Sequence, residues 1–312
     1  MMADAISHDD RRHIWALCYR MTGVAADADD LVQDTMVRAL ERPPARTDEP
    51  LRPWLVRVAM NLARDMLRAR KRRAYKGPWL PSPVDDDALE IPVEARGAEG
   101  RYDLLESASM AFLLALEALT PKQRAVLLLA DVFDYSVREV ATALDLSEAN
   151  VKTTHHRARH ALERYDRKRA PRTSELVTRT REALERFLTC IALCDSAAAE
   201  ALLSDDVRSL NDGGGEFFNA RVPLAGKARI VRFYLGVRKL HTDDARFALR
   251  SVGGLPALVA EQTPKKAGFA PRFVIACELG ADGKIASLYT VLSTHKLTGV
   301  ARLHVPPPTA EP

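Results

Sequence analysis

The strongest constraint on how this chain folds lies at residues 120–162, where helix-start signals follow one another at short range. In Thr120-Pro121-Lys122-Gln123 the threonine hydroxyl is placed to accept the N3 amide. The glutamine reaches back to the cap amide, and proline fills the first helical position, where no N–H is needed. An apolar helix over 125–133 follows. Ser136-Val137-Arg138-Glu139 is a second capping box, opening a short helix that keeps Val137, Val140, Ala141 and Leu144 at helical spacing. Asp145 stands where a left-handed turn residue is wanted, and Ser147 caps a third helix. On that helix Val151, Ala158 and Leu162, with Ala161 beside them, are expected to face inward. Thr153, His156, Arg157 and His160 form the opposite face, flanked by Lys152 and Arg159. Short helix, tight turn and capped helix with a basic outer face is the arrangement that sets a recognition helix into the major groove.

Charge along the chain points the same way. The net charge of +4 conceals two basic blocks. Residues 51–76 hold nine Arg/Lys against Asp65 alone, and residues 152–172 hold eight against Glu163 and Asp166, with three histidines. Residues 84–106 between them carry eight acids against two arginines. Two cationic blocks on an acidic tether suit two contacts with one polyanion, or two solvated faces; charge alone does not choose.

The first basic block belongs to another helical module. Ile14, Leu17, Cys18 and Met21 form a stripe ending at Gly23. A helix over 27–40 is expected to bury Leu31, Val32, Thr35, Ala39 and Leu40, leaving Asp29, Asp30, Gln33 and Asp34 outside. A third helix from Pro53 carries Trp54, Leu55, Val58, Ala59, Leu62 and Met66 at core spacing. Its polar side offers Arg57, Asn61, Arg64, Asp65 and Arg68 and runs into Arg70-Lys71-Arg72-Arg73. Trp54 reads as core or as a stacking platform. Asn61, a poor mid-helix residue, is either exposed by a local turn or simply solvated.

Both modules resemble extracytoplasmic-function (ECF) sigma factors. Leu119-Thr120-Pro121, Gln123-Arg124, the run Ser136 to Ala141, Val151-Lys152-Thr153 and His156-Arg157-Ala158-Arg159 resemble region 4 of that family. The resemblance implies reading of the minus-thirty-five promoter element by Arg138, Lys152, Thr153, His156, Arg157, Arg159 and His160. Two positions depart: Asp145 replaces the usual turn glycine, and His155 replaces the usual leucine, so base preference does not carry over. The run Asp27 to Thr35 resembles the region 2 segment that docks on the polymerase clamp helices, which assigns docking to Asp29, Asp30, Gln33 and Asp34. The run Pro53 to Ala63 resembles the part that melts and reads the minus-ten element. This implies DNA contacts by Trp54, Arg57, Asn61, Arg64, Arg68, Arg70, Arg72 and Arg73, where bases stack and a cationic track follows single-stranded backbone. Roughly 6–10 phosphate contacts would cost about 10³–10⁵ in affinity between 50 and 200 mM salt.

After residue 173 the character changes. A long amphipathic helix, residues 175–195 with Leu184, Phe187, Leu188 and Ile191 on one side, leads into a short helix near 196–203. A strand near 207–211 follows, then the Asp212-Gly213-Gly214-Gly215 turn, a helix over 227–237, and strands near 245–252, 257–261, 272–279 and 285–292. The order resembles the SnoaL-like fold, and the whole chain resembles the ECF group that carries this domain at its C-terminus. Gly77-Pro78-Trp79-Leu80-Pro81 and the Asp212 turn are markers of that group, with Ser82 departing from the usual acid. The expected fold is therefore multidomain: two all-α sigma modules and an α+β SnoaL-like cone. Region 2 spans 8–76, a linker 77–105, the helix-turn-helix 106–170, the cone 174–304 and a disordered tail 305–312. Trp79, Leu80, Asp212, Gly213, Gly214 and Gly215 are candidates for regulatory contacts between the cone and the sigma modules or linker.

The function expected is promoter-directed initiation with core RNA polymerase, its β′ clamp helices and β flap, and promoter DNA as partners, and a possible small ligand in the cone. Asp212 is a turn residue or, on the model of SnoaL-like cyclases, an acid/base; with no partner histidine or carboxylate placeable, no enzyme activity is expected. A plain helix-turn-helix regulator and a DNA-tethered enzyme are the alternatives. No cofactor or metal site is expected: four cysteines form no CxxC pair, and Cys190 and Cys194 read as small buried thiols. Without an apolar leader or a run near 20 apolar residues, a cytoplasmic location away from membranes is expected.

Overall fold

The computed structural model describes residues 6–42, 50–71, 75, 77–89, 104, 106–168, 173–240 and 242–303. Arg72 and Arg73, residues 90–103 of the acidic run and the 304–312 tail lie outside them. The chain divides into two compact units: residues 1–74 with 86–172, and residues 75–85 with 173–312. The segment expected to be a linker thus begins as part of the C-terminal unit, with the apolar Trp79 and Leu80 on it.

In the first unit α1 (His8–Thr22) starts on a Ser7/Asp10 capping box and stops at Gly23, whose φ of 70° lets the cap amide bond Tyr19 O. Then come α2 (Ala25–Glu41) and α3 (Arg52–Lys71). The expected stripes are corrected on both. On α2 Leu40 is 54 % exposed, and Met36 is buried instead. On α3 the buried residues are Leu55, Val56, Ala59, Met60, Ala63 and Leu67, while Trp54, Val58, Leu62 and Met66 are only half-buried. The inward face is rotated from the expected one. A short α4 (Met110–Ala115) precedes α5 (Pro121–Leu127), which continues through a π turn at Leu128–Val132, then α6 (Val137–Leu144) and α7 (Glu148–Lys168).

The C-terminal unit contains α8 (Ser174–Leu193), α9 (Ser196–Ala201), β1 (Leu203–Asp212), β2 (Leu224–Ala225), α10 (Lys227–Arg238), β3 (Arg246–Val252), β4 (Leu255–Glu261), β5 (Arg272–Leu279) and β6 (Ile285–Val291). One mixed sheet runs β2-β1-β6-β5-β4-β3, with β1 parallel to β6 and the other pairs antiparallel. Leu184 and Phe187 of α8 and Ile230, Val231 and Tyr234 of α10 pack with Ile275, Cys277 and Leu288 of the sheet in one core. This is the expected α+β cone. The 75–85 strap lies along it: Gly253 N donates to Val84 O, Asp85 N to Gly299 O, and Asp85 pairs with Arg250. Cys194 is exposed at the left-handed C-cap of α8, correcting the buried reading. Among the described residues no helix is long and apolar enough to cross a membrane.

Candidate functional site

The helix-turn-helix forms through the local signals its sequence carries. Thr120/Gln123 and Ser136/Glu139 close both capping boxes, and Asp145 adopts φ 54° and ψ 56°, the left-handed turn between α6 and α7. Ser147 Oγ accepts the Asn150 amide to start α7. Val151, Ala158 and Leu162 are buried; Ala161 is exposed, and Thr154 takes the inward place instead. Arg138, Lys152, Thr153, His156, Arg157 and His160 are all exposed. His160 Nδ1 lies 2.7 Å from Glu163 on its own helix, and Thr153 donates to Ala149 O.

Arg159 differs from its neighbours. Its guanidinium forks onto Asp131, which is 2 % exposed, at 2.9 and 2.5 Å, and His155 Nε2 meets the same carboxylate at 2.8 Å. Burial alone pushes the Asp131 carboxyl up, but the His155 and Arg159 hydrogen bonds outweigh it and hold the group below the usual range. Asp131 therefore ties α7 to the end of the α5 π turn. Its role was not evident beforehand, although a lone acid inside Ala125–Phe133 signals a buried carboxylate that needs partners. The family-departing His155 sits half-buried in this cluster.

On region 2 the exposed edge of α2 presents Asp29, Asp30, Gln33 and Asp34. Trp15 of α1 donates its indole N–H to Asp29 at 2.7 Å. Beside this edge runs a groove of about 410 Å³ whose lining includes Arg11, Arg12, Trp15, Met36, Val37 and Leu40. Val37 and Leu40, 43 and 54 % exposed, give the acidic edge an apolar flank, of which periodicity had assigned Leu40 to the core. On α3, Arg57, Asn61 and Arg68 are exposed and Trp54 is half-buried. Asn61 lies within unbroken helix, so the local turn is not there; its side chain accepts from Arg64. Burial lowers the Arg64 pKa, and Arg68 pairs with Asp65.

Arg70 is turned elsewhere: it donates to Thr22 O at 2.6 Å and to Glu117 at 3.0 Å. It belongs to a seam where the two helical modules pack on each other. There Arg124, 3 % exposed, donates to Met21 O, Leu116 O and Glu117. Arg20, fully buried, donates to Ser107 Oγ, Ala16 O and Leu104 O. His13 Nε2 meets the Tyr135 hydroxyl at 3.0 Å, edge-on to Phe133. Burial, with Arg52 next in weight, pulls the His13 pKa down to about 4.

In the C-terminal unit the candidates Leu80 and Asp212 meet directly. Asp212 is fully buried; its carboxylate accepts from Leu80 N at 2.7 Å, Tyr75 Oη at 2.6 Å and Lys296 Nζ at 2.5 Å. Lys296 also donates to Leu80 O and sits 4.6 and 4.7 Å above the Trp79 and Tyr75 ring centres. Gly214 donates to Asp212 Oδ1 with φ 61°, and a side chain there would collide with Ser293 Oγ at 2.6 Å. Gly213 backs onto Phe217 O and Gly215 holds φ 80°. Asp212 is the turn residue, not a cavity acid. Lys296 was missed, since nothing local marks a lysine that closes a loop 216 residues wide at Leu80.

A family model described as sigma-70 region 2 matches residues 8–73, and one described as sigma-70, region 4 matches residues 109–162. The chain is 32 % identical over 296 residues to the ECF RNA polymerase sigma factor SigJ of Mycobacterium tuberculosis, covering 93 % of this chain and 91 % of that one. It is 35 % identical over 205 residues to the sigma factor SigG of the same species, covering 59 % and 54 %. The crystal structure of SigJ superposes with a TM-score of 0.70 at 28 % identity, across 93 % of this chain and 96 % of that one. With the paired helical modules, the fused cone and this end-to-end likeness, the chain belongs to the family of extracytoplasmic-function RNA polymerase sigma factors.

Proposed function

We propose that this chain is the promoter-specificity subunit of one form of RNA polymerase, that α7 reads the minus-thirty-five element, and that α3 melts and reads the minus-ten element. The acidic edge of α2, with its apolar flank, takes the β′ clamp helices, and region 4 rests on the β flap. The cone acts in cis as a regulator that holds the 75–85 strap, is open to a small ligand, and catalyses nothing. The observation that carries this reading is the exposed basic face of α7, delivered by two closed capping boxes and a left-handed Asp145.

One consequence concerns the seam between the helical modules. The two promoter elements are centred roughly 25 base pairs apart, about 85 Å along duplex DNA. A compact unit of this length has a radius of gyration of only about 15 Å. The seam must open for both elements to be held, and opening releases Arg70 for DNA.

The test is transcription in vitro with purified core polymerase and the full chain. Arg157→Ala is expected to weaken promoter binding by about 1–3 kcal/mol and to relax preference at the upstream element. Charge reversal at Asp29 and Asp34 is expected to abolish association with core polymerase while upstream duplex binding persists. A purified chain that never associates with core polymerase overturns the reading; duplex binding alone would leave a plain helix-turn-helix regulator.

A further inference from the structure

The cone holds a cavity of about 60 Å³. Among the described residues that line it there is no Asp, Glu, His, Lys or Arg. Phe218, Phe269 and Phe273 supply much of the wall, and Asn211, Tyr234 and Thr290 a polar end. Those three are 1, 4 and 6 % exposed. They form one network: Tyr234 Oη lies 2.9 Å from Thr290 Oγ1 and 3.3 Å from Ser209 Oγ, to which Asn211 Nδ2 donates. Burial raises the Tyr234 pKa, so the network stays neutral. A charged guest entering here would lose its hydration with no counter-ion to meet it. A neutral one would find aromatic surface and hydroxyl or amide groups that both donate and accept.

As it stands the cavity has room only for a few water-sized molecules; an aromatic ring needs roughly 150 Å³. Phe218 is the wall most able to move. It is 67 % exposed, rests on Phe269 with ring centres 5.6 Å apart and the planes tilted by 59°, and lies over Gly268, where any side chain would strike its ring. Swinging it outward enlarges the cavity without unpacking the core.

The cavity and the strap share their walls. Along β1 successive side chains point to opposite faces: Asn211 lines the cavity, and Asp212 beside it holds Leu80 and Tyr75. After β6, Leu292 lines the cavity while its amide donates to Asp212 O, and Lys296 four residues on grips Leu80 O. The 211–219 and 290–296 segments therefore serve both.

We propose that this cavity binds an uncharged small molecule with an aromatic or alicyclic body and one hydroxyl or carbonyl group, and that filling it shifts the 75–80 strap. The binding stands by itself; only its effect on transcription rests on the function proposed above. The probes are phenol, benzoate and benzylamine, offered separately to the full chain and followed by saturation-transfer NMR at neutral pH. Phenol is expected to bind at least about tenfold more tightly than either charged analogue. Tyr234→Phe and Thr290→Val, which keep shape, are each expected to weaken phenol about fivefold, the share of one hydrogen bond. Phe218→Ala, at an exposed position, keeps the fold and is expected to strengthen binding by removing the mouth that must otherwise move. Hydrogen exchange at the Leu80 amide is expected to change at least about threefold when phenol saturates the wild type. Equal binding of all three probes, or none up to about 10 mM, overturns the site. Binding that leaves Leu80 exchange untouched overturns the coupling. No polymerase is used, so failure here is distinct from failure to initiate transcription.

Discussion

Buried cations hold each unit together internally, but in different ways. In the N-terminal unit Arg20 and Arg124 spend most of their donors on backbone carbonyls and a serine hydroxyl, with one half-exposed carboxylate, Glu117. Met21 O and Leu116 O are carbonyls near helix ends, where intrahelical partners run out. Such partners accept water readily once a seam opens, and the arginines keep their charge in either state. In the C-terminal unit Lys296 and Asp212, 4 and 0 % exposed, form an ion pair with two aromatic rings closing on the ammonium. Neither charge has water to return to while the cone is folded. The comparison teaches that the first arrangement is a seam built to part, whereas the second is a fastener.

The sharpest way to break the contrast is Asp212→Ala. It leaves the Lys296 ammonium buried without its carboxylate and strips Leu80 N and Tyr75 Oη of an acceptor. The expected loss is about 3–5 kcal/mol in denaturant unfolding of the C-terminal unit, as for other severed buried pairs. In a double-mutant cycle with Lys296→Met the two losses are expected not to add, because each change alone leaves the other member of the same pair without its partner, and the double change leaves neither. A loss under about 1 kcal/mol would mean the strap is held by its apolar side chains and not by the ion pair.

Mild acid should part the seam. His13 is buried between Tyr135 and Phe133, and its folded pKa of about 4 lies below the ordinary 6.5. Between these values the unfolded chain binds a proton that the packed one does not, so stability is complete above pH 6.5 and falls as the pH drops toward 4. The most this one group contributes is about 3 kcal/mol. His13→Gln should flatten that part of a stability-versus-pH curve; an unchanged slope between pH 4 and 6.5 would remove His13 from the account. Asp131 acts at lower pH. Its carboxyl is held below the ordinary value, so its contribution persists above that value and is lost only as pH falls through the folded pKa.

Arg124→Leu probes the seam itself. Removing a guanidinium with three acceptors is expected to cost about 1.5–3 kcal/mol, toward the low end because the freed carbonyls can be hydrated. Fluorescence transfer between labels on α2 and α7 should report a wider separation than in the wild type. A destabilised chain with an unchanged distance would mean the arginine supports one module only.

These same contacts mark where the sequence stopped being informative. Capping boxes, the Asp145 turn and the strands at 272–279 and 285–291 were readable because their determinants lie within a few residues. The inward face of α3 was not. Trp54-Leu55-Val56, Val58-Ala59-Met60 and Leu62-Ala63 put apolar residues on adjoining faces, so helical period alone cannot select one. The tertiary partners select it, and Val56, Met60 and Ala63 end fully buried. The exposed residues of the α7 face were legible for the same local reason, whereas the ion pairs of Arg159 and Arg70 were not, because Asp131 and Glu117 reach them from other elements. Leu80 and Asp212, both candidates from the resemblance, do meet, but the Lys296 that fastens them was hidden, since it lies far from Leu80 in sequence.

The smallest effect separates the two forces inside the fastener. Tyr75 contributes a hydroxyl that donates to Asp212 and a ring face beneath Lys296. Tyr75→Phe removes only the hydroxyl, and the expected loss is about 1 kcal/mol, the net worth of one hydrogen bond. Tyr75→Leu removes the ring face as well and should cost a further 0.5–1 kcal/mol or so if the cation–π contact matters at this partly exposed site. Should the two variants unfold at the same denaturant concentration, the ring is a bystander, and the ammonium is held by the carboxylate, Leu80 O and Trp79. If Phe matches the wild type and Leu does not, the strap is secured chiefly by aromatic faces, and the ion pair then resembles the seam more than the contrast above allows.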